Sequence, residues 1–532
     1  MLQFNTAGPS VYGKHYCLNP LSRINLDEIL TLIEAERYFV LHAPRQTGKT
    51  TCLIALMKYL NKQGRYRVIY ANIEAAQTAR NDVSHGLRTV CSQVASSLQM
   101  HLGDVATAGA WLEIFNDYGH NAALMQLLKI WTQADPAHPT ILFLDEIDAL
   151  VGDTLVSVLR QLRSGYADRP DNFPVAVILC GVRDVRDYRI HTSSGEIITG
   201  GSAFNVKAES LRLGNFSQAD VRELFVQHTA ETGQCFAEKV FDWLWKDTEG
   251  QPWLVNALGQ KLCFKMIEGK DRTRIIDVEL YQQARERLIQ SRATHLDQLI
   301  DKLQEERVHR VIAMVLSGEE INETIPADDL QYVQDMGLLT IKRPIEISND
   351  IYREMIPREL TWTTQELSIH QETIWYLTKE RRIDMPKLLQ AFQQFFRENA
   401  DAWIERFQYK EAGPQLLLQA FLQRVINGGG RITREYGIGM KRMDLYLEWP
   451  LDETLAFRGP LQRVVLELKI QRSSLKNTLV EALPQTVNYA VTCGADEAHL
   501  LIFDRSSKKT WSKKIWKRVE TCNNMEVKVW GM

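Results

Sequence analysis

Glu467 and Lys469 stand two apart in the apolar stretch "RVVLELKIQ". On a strand they project from one face together with Val465, while Leu466 and Leu468 point the other way. Upstream, Asp444 interrupts "RMDLYLEW" where alternation calls for a core residue. A carboxylate buried there needs a cation or a metal beside it. Downstream, Gln485 and Tyr489 lie four apart in a helix predicted to begin in "EALPQTVNYAVTCG", so they share a helical face. Two carboxylates that bind Mg²⁺, or Mn²⁺ in its place, beside an ammonium that positions or deprotonates water make a minimal site for phosphodiester hydrolysis. Glu-x-Lys recurs at Glu268 and Lys270 and at Glu526 and Lys528 without such company, and those pairs read as surface charges.

A second constellation occupies the first third. "YFVLHAPRQTGKTTCLIALMKYL" reads as buried strand, tight loop and amphipathic helix. Within it Ala43, Pro44, Arg45, Gln46, Thr47, Gly48, Lys49 and Thr50, followed by Thr51, fit a Walker A loop, with Ala43 where its first glycine is usual. The backbone amides and the helix N-terminus would cradle the phosphates of ATP, Lys49 would reach the β and γ oxygens, and Thr50 would ligate Mg²⁺. In "TILFLDEIDAL", Asp145 and Glu146 fall at the C-terminal end of a buried strand, where parallel sheets bind ligands. Asp145 would hold the ion, and Glu146 would orient and deprotonate the attacking water. Arg183 and Arg186 follow the strand "FPVAVILCG" and are candidates for sensing the γ-phosphate; Arg160 and Arg163 compete as arginine finger. Each of the four also reads as an ordinary surface or ion-paired arginine.

The elements that position these groups can be placed coarsely. A chain of 532 residues is too long for one core and implies several domains. Beyond residue 210 the pattern turns helical, with Ser217 as N-cap and Gly250-Gln251-Pro252 breaking one helix and starting the next. A helix is expected over 296–317, another over 327–336, then a hairpin through "LLTIKRPIEISNDIYREMIP" turning near Lys342 to Pro344. Helix 327–336 carries Asp328, Asp329 and Asp335 and no Lys or Arg, which suits packing on the protein better than entering a nucleic-acid groove. Mixed helical segments over 365–408 read as a connector. An apolar helix is expected from 414 to 426, then two glycine-rich strands.

Charge is unevenly distributed. Residues 401–532 carry 20 Lys and Arg against 15 Asp and Glu, the first 400 carry 43 against 51, and the whole chain has a net charge of -3. A polyanion surface is therefore expected toward the C-terminus. There, Arg505, Lys508, Lys509, Lys513, Lys514, Lys517 and Arg518 surround Trp511 and Trp516. The run reads equally as a stacking and phosphate-binding strip for nucleic acid or as an edge strand guarded by lysines. No apolar run approaches the roughly 20 residues that span a bilayer, and the scattered cysteines suit a reducing cytoplasm.

Walker A, the DEID strand and the G-x-P element together resemble the signal-transduction ATPases with numerous domains and the archaeal-type ATPases related to AAA proteins. In that group the G-x-P element lies in a nucleotide-responsive helical lid, and a winged helix follows. The order Asp444, Glu467-x-Lys469, Gln485-x-x-x-Tyr489 resembles the RecB-type branch of the PD-(D/E)xK nucleases, whose usual helical glutamate would be Glu411 or Glu435 here. The resemblance implies an α/β multidomain chain: a P-loop NTPase parallel sheet (1–210), a helical lid (211–290), a winged-helix module (291–364), a connector (365–408) and a restriction-endonuclease-like α/β domain (409–532). It implies an ATP-dependent or ATP-gated nuclease acting on nucleic acid, DNA above all, with Mg²⁺ at both sites, no membrane, and scope for a homo-oligomer. Defence against phage or other foreign DNA and mobile-element biology are implied by the same resemblance. Two rivals stand beside it: a nucleotide-switched signalling or scaffold protein whose nuclease-like domain only binds nucleic acid, and an ATP-driven translocase, which would require a ring.

Overall fold

A strand buried on both faces needs no polar alternation, and the first sheet is built from such runs. α1 (Leu26–Glu34) leads into β1 (Tyr38–His42), the Walker A loop and α2 (Lys49–Gln63). Next come β2 (Arg67–Asn72), α3 (Val83–Leu102), α4 (Val105–Tyr118), α5 (Ala123–Gln133), β3 (Thr140–Asp145), α6 (Gly152–Ser164) and β4 (Ala176–Gly181). After the short pair β5 (Arg189–His191) and β6 (Ile197–Thr199) and one turn of α7 (Gly200–Ala203), β7 (Lys207–Arg212) completes the sheet. Its order is β2-β3-β4-β1-β7, and every pairing is parallel. Tyr38, Val40, Leu142 and Leu144 face a layer made by α3, α5 and α6, while Phe39, Leu41, Ile141 and Phe143 face α1 and α2. All five strands thus end at one edge of the sheet, where the loops gather.

The computed structural model describes residues 1–184, 189–191, 197–291, 294–316, 325–360, 376–407, 418, 421–422, 430–438, 441–452, 457, 459–471, 474–504 and 509–532. Arg186, Glu411, Arg505 and Lys508 lie outside them. The chain divides into two units, Met1–Lys302 with Ile325–Arg353, and Leu303–Thr324 with Glu354–Met532.

In the first unit the sheet is followed by α8 (Gln218–Thr232), α9 (Glu238–Thr248), α10 (Pro252–Gln260), α11 (Ile267–Lys270) and α12 (Val278–Gln290). Ser217 and Asp220 cap α8 reciprocally, and Pro252 opens α10 with the Gln251 side chain accepting from the Leu254 amide at 2.7 Å. Gly250 has φ +69°, and a Cβ there would lie 2.0 Å from the Phe216 carbonyl oxygen, so only glycine fits this corner.

The expected helix over 296–317 is two helices, α13 (Thr294–Leu303) and α14 (Glu306–Leu316). The apolar period runs on across their junction, so periodicity alone does not register the break. α15 (Ala327–Asp335) follows. The hairpin is shorter than expected: Leu339 and Ile347 form a single antiparallel bridge, and the chain then enters α16 (Asp350–Leu360). Asn349 causes that turn to helix, its Oδ1 accepting from the Tyr352 amide at 2.9 Å.

The second unit holds α17 (Met385–Phe407), β8 (Arg431–Ile438), β9 (Lys441–Pro450), β10 (Leu461–Ile470), α18 (Leu475–Cys493), β11 (Glu497–Phe503), α19 (Trp511–Lys514), β12 (Trp516–Cys522) and β13 (Met525–Gly531). The strands form one mixed sheet ordered β12-β13-β11-β10-β9-β8. β10 pairs antiparallel with β9 and parallel with β11, the latter through the crossover α18. α17 is part of this core rather than a free connector, because Met385, Leu388, Leu389 and Phe392 pack with Leu445, Leu447, Val464 and Leu466. The helix expected over 414–426 lies largely outside the described residues; of it, Leu418, Phe421 and Leu422 are buried. α18 begins at Leu475, capped by Ser474, whose hydroxyl accepts from the Asn477 amide, and so starts upstream of the stretch "EALPQTVNYAVTCG" in which its beginning is expected. Pro484 lies inside α18, at an exposed position.

Candidate functional site

At the strand ends of the first unit the Walker A loop closes on itself. Lys49 Nζ donates to the carbonyls of Ala43 at 2.8 Å and Pro44 at 3.0 Å, and the Thr47 hydroxyl to Pro44 at 2.8 Å. Gly48 precedes the first turn of α2, whose amides Lys49, Thr50 and Thr51 lead. Gln46 and Glu146 both hold left-handed backbone, with φ 58° and 62°. That conformation costs a residue with a side chain about 1 kcal/mol or more and collects at functional sites.

β3 lies two strands from β1 and ends on Asp145, which is fully buried. Its Oδ2 accepts from the Thr50 hydroxyl at 2.7 Å and from the Tyr70 hydroxyl on β2 at 2.8 Å, and its Oδ1 from the Glu146 amide at 3.0 Å. Thr50 and Asp145 therefore present two hard oxygens to one point, which suits Mg²⁺. Burial and the neighbouring Asp145 raise the pKa of Glu146, favouring a group that can take a proton. Asp148 Oδ2 accepts from the Val182 amide and ties this turn to the end of β4. Tyr70 carried no sequence signal, since a tyrosine on an apolar strand reads as core.

Of the four arginines, Arg160 and Arg163 are exposed on α6. Arg183 lies just beyond β4, 3.5 Å from Asp335 Oδ2 and with its guanidinium 4.9 Å from the Tyr332 ring centroid. Sequence reasoning missed Arg212 at the end of β7, whose Nη1 donates to Asp335 Oδ1 at 3.1 Å. It also missed Arg23, which donates at 2.6 Å to both the Thr47 and Gly214 carbonyls and lies 4.5 Å from the Phe216 ring centroid. Arg23 lines a cavity of about 130 Å³ with Cys17, Gln46, Thr51, Phe216, Pro252 and Trp253. The cavity adjoins the Walker A loop, and the G-x-P proline forms part of its wall.

On the second sheet, Asp444 of β9 and Glu467 and Lys469 of β10 meet on the face covered by α18. Lys469 Nζ lies 2.8 Å from Glu467 Oε1, and Asp444 Oδ2 accepts from the Leu468 amide at 2.8 Å. Gln485 Nε2 donates to the buried Tyr489 hydroxyl at 2.8 Å, and Tyr489 acts electrostatically on Lys469. Burial and the Asp444 charge push Glu467 up to about 7. Burial opposes the charge on Lys469, but its bond to Glu467 and the fields of Glu467 and Asp444 hold its pKa above the ordinary value. Glu467 Oε2 is buried and has no hydrogen-bond partner in the structure. That oxygen and the Asp444 carboxylate fit a divalent cation, which can complete its shell with water and phosphate oxygens. Among the described residues no group of three or more His, Cys, Asp or Glu suits a metal, so these two are the donors the structure offers here. Glu435 lies on β8.

Farther along, Lys509 pairs with Asp504, and Lys513 and Lys514 sit on α19. Trp511 is half-buried with its ring 5.8 Å from Phe396. Trp516 starts β12, which is the edge of the sheet, and its ring fills the space a side chain at Gly531 would need. Both indoles thus serve the core. Lys528 is no mere surface charge: it donates to Glu497 at 2.7 Å. All eight cysteines are free, and among the described residues no helix is long and apolar enough to cross a membrane.

The AAA-like domain family matches residues 31–357, more than half of the chain, and the chain belongs to that family. No curated protein matches it. Among solved structures, the Walker-type ATPase of Pyrococcus abyssi is 14% identical with a TM-score of 0.43, over 66% of this chain and 99% of its own. Cdc6p of Pyrobaculum aerophilum is 14% identical with a TM-score of 0.36, over 66% and 97%. The RuvB Holliday junction branch migration motor of Thermotoga maritima is 13% identical with a TM-score of 0.33, over 63% and 95%. Likenesses this distant carry no argument about function. The family makes the chain an ATPase of the AAA-like P-loop type.

Proposed function

We propose that this AAA-like ATPase gates a metal-dependent nuclease in its own second unit, with DNA as the substrate. One observation carries the reading: Asp444, Glu467 and Lys469 converge on one sheet face under the Gln485–Tyr489 helix, with a buried Glu467 oxygen that has no hydrogen-bond partner. A carboxylate left so is costly, and a cation would relieve it. Bound between Asp444 and Glu467, Mg²⁺ would polarise the scissile phosphate and acidify water. Lys469 would orient that water or take its proton, Glu467 would hold Lys469 in place, and Tyr489 with Gln485 would close the wall behind them. In the first unit Lys49, Thr50 and Asp145 would hold Mg-ATP, and Glu146 would orient the water that attacks it.

Cleavage of labelled linear, circular and single-stranded DNA, with Mg²⁺ or Mn²⁺ and with or without ATP, tests this in wild type, Lys49→Ala and Lys469→Ala. Cleavage should vanish in Lys469→Ala and change in Lys49→Ala. The Glu467–Lys469 ion pair also suits a fold that binds nucleic acid without cutting it. DNA binding and ATP turnover with no cleavage under any condition would move the assignment to that nucleotide-switched scaffold.

A further inference from the structure

The last two strands of the second unit form a hairpin with one open side. β12 and β13 pair without a bulge from Trp516 opposite Gly531 to Cys522 opposite Met525, and Asn523 and Asn524 turn between them with φ 48° and 61°. β12 ends the sheet order, and among the described residues no strand pairs with its other side. Edge strands are usually blocked by several lysines, a proline or a bulge. β12 has a single lysine, Lys517, and neither of the other devices, and Val519 at its middle is 53% exposed.

The bonds on the far side of the hairpin show which backbone groups face that opening. The Met532 amide donates to the Ile502 carbonyl at 2.8 Å, and its carbonyl accepts from the Asp504 amide at 2.9 Å. Alternation along β13 then turns Trp530 and Lys528 to β11, and Gly531, Val529, Val527 and Met525 to β12. Their partners Trp516, Arg518, Glu520 and Cys522 are bonded within the hairpin, so the exposed Lys517, Val519 and Thr521 offer their N–H and C=O groups to the open edge.

The sequence of β12 complements itself in one register. In an antiparallel pair of β12 strands, a two-fold centre at Lys517, Arg518 or Glu520 opposes like charges, and one nearer either end leaves little overlap. A centre at Val519 sets Val519 against itself, Lys517 against Thr521 and Arg518 against Glu520. Arg518 and Glu520 already pair at 2.9 Å within the strand. Their cross-pairs fall at the non-hydrogen-bonded positions, where facing side chains come closest.

We propose that β12 is a contact between two copies of this chain, joined antiparallel about a two-fold axis at Val519. Two six-stranded sheets become one continuous sheet, with roughly six backbone hydrogen bonds across the junction. Arg518 and Glu520 of each copy alternate in sign around the axis. A contact of this kind is complete with two copies, so it builds a pair and not a ring. The inference depends on neither the ATP site nor cleavage by the second unit.

The test is sedimentation velocity on the full chain across micromolar concentrations, where the wild type should reach twice its 61.2 kDa. Val519→Lys, at an exposed position, puts like charges on the axis, and Glu520→Arg sets a second arginine against the partner's Arg518. Each should weaken the dimer about tenfold or more, and adding Arg518→Glu to Glu520→Arg should restore it, because the cross-pairs are again opposite in sign. A wild type that stays monomeric overturns the proposal, as does a dimer that both single variants leave intact. A monomer that gains mass only with duplex DNA would give the lysines here to nucleic acid and overturn it too. Should Val519→Lys not fold, amide exchange of wild-type residues 516–522 decides: protection must fall on dilution, and exchange that ignores concentration overturns the contact.

Discussion

In the first unit, Lys49 and Thr50 direct their polar groups onto the protein, to the carbonyls of Ala43 and Pro44 and to Asp145. In the second, Glu467 bonds Lys469 through one oxygen and keeps the other buried without a hydrogen-bond partner. Both sites put a cationic side chain beside carboxylates, yet one is internally satisfied and the other carries an electrostatic penalty. The difference follows from how each is built. A contiguous loop at a helix N-terminus can offer its own carbonyls and amides to its lysine, whereas groups on the middle of a sheet face have only neighbouring side chains. Self-satisfied groups exchange partners when a ligand arrives; a penalised carboxylate gains stability from one.

Lys49→Ala should lower kcat/KM for ATP by about 10²–10³-fold, as removal of a phosphate-charge donor does, and a phosphate-release assay checks it. A residual rate near wild type would show that the lysine's bonds to the loop are its whole role. Glu467→Gln should abolish Mg²⁺ binding by the second unit while raising the melting temperature by about 2–4 °C at pH 8, because a disfavoured charge is removed. A fall in melting temperature would show that the Lys469 pair stabilises more than burial costs.

The pH dependence of Glu467 has a definite sign. Its folded pKa of about 7 exceeds the ordinary 4.5, so between those values the folded chain holds a proton that the unfolded chain releases. Its contribution to stability is present below about 4.5, declines as pH rises to about 7 and is flat above that. Denaturant titrations of wild type against Glu467→Gln across this window should show an additional decline with pH in the wild type, and saturating Mg²⁺ should remove that difference. The smallest effect expected is Tyr70→Phe, which deletes one bond to Asp145. About a threefold to tenfold weaker response to Mg²⁺ in ATP turnover is expected, from the roughly 1 kcal/mol of one hydrogen bond.

Legibility in the sequence tracked locality. The Walker A strand, loop and helix, the run ending on Asp145, the Ser217 cap and the Pro252 helix start each rest on residues within one turn or strand, and each lies where the spacing put it. α18 starts upstream of the stretch in which its beginning is expected, because Ser474 caps it there and the helix runs on through the exposed Pro484. α17 read as a connector because its apolar stripe has no partner nearby in sequence; the partners are on β9 and β10. Arg212 and Tyr70 gave no signal, being single polar residues on strands whose neighbours, Asp335 and Asp145, are 123 and 75 positions away.

Two charged constellations follow from residues close together in the chain. A glycine-lysine-threonine turn at a helix start and an alternating strand with Glu467 and Lys469 on one face are consequences of local backbone geometry. Only the tertiary structure decided which charges meet: Asp444 with the Glu467 face, Tyr70 and Thr50 with Asp145, and Asp335 with the two arginines beside the phosphate loop. Such pairings depend on strand order and helix packing, which bring distant residues within 3–4 Å of each other, and no spacing along the chain encodes them.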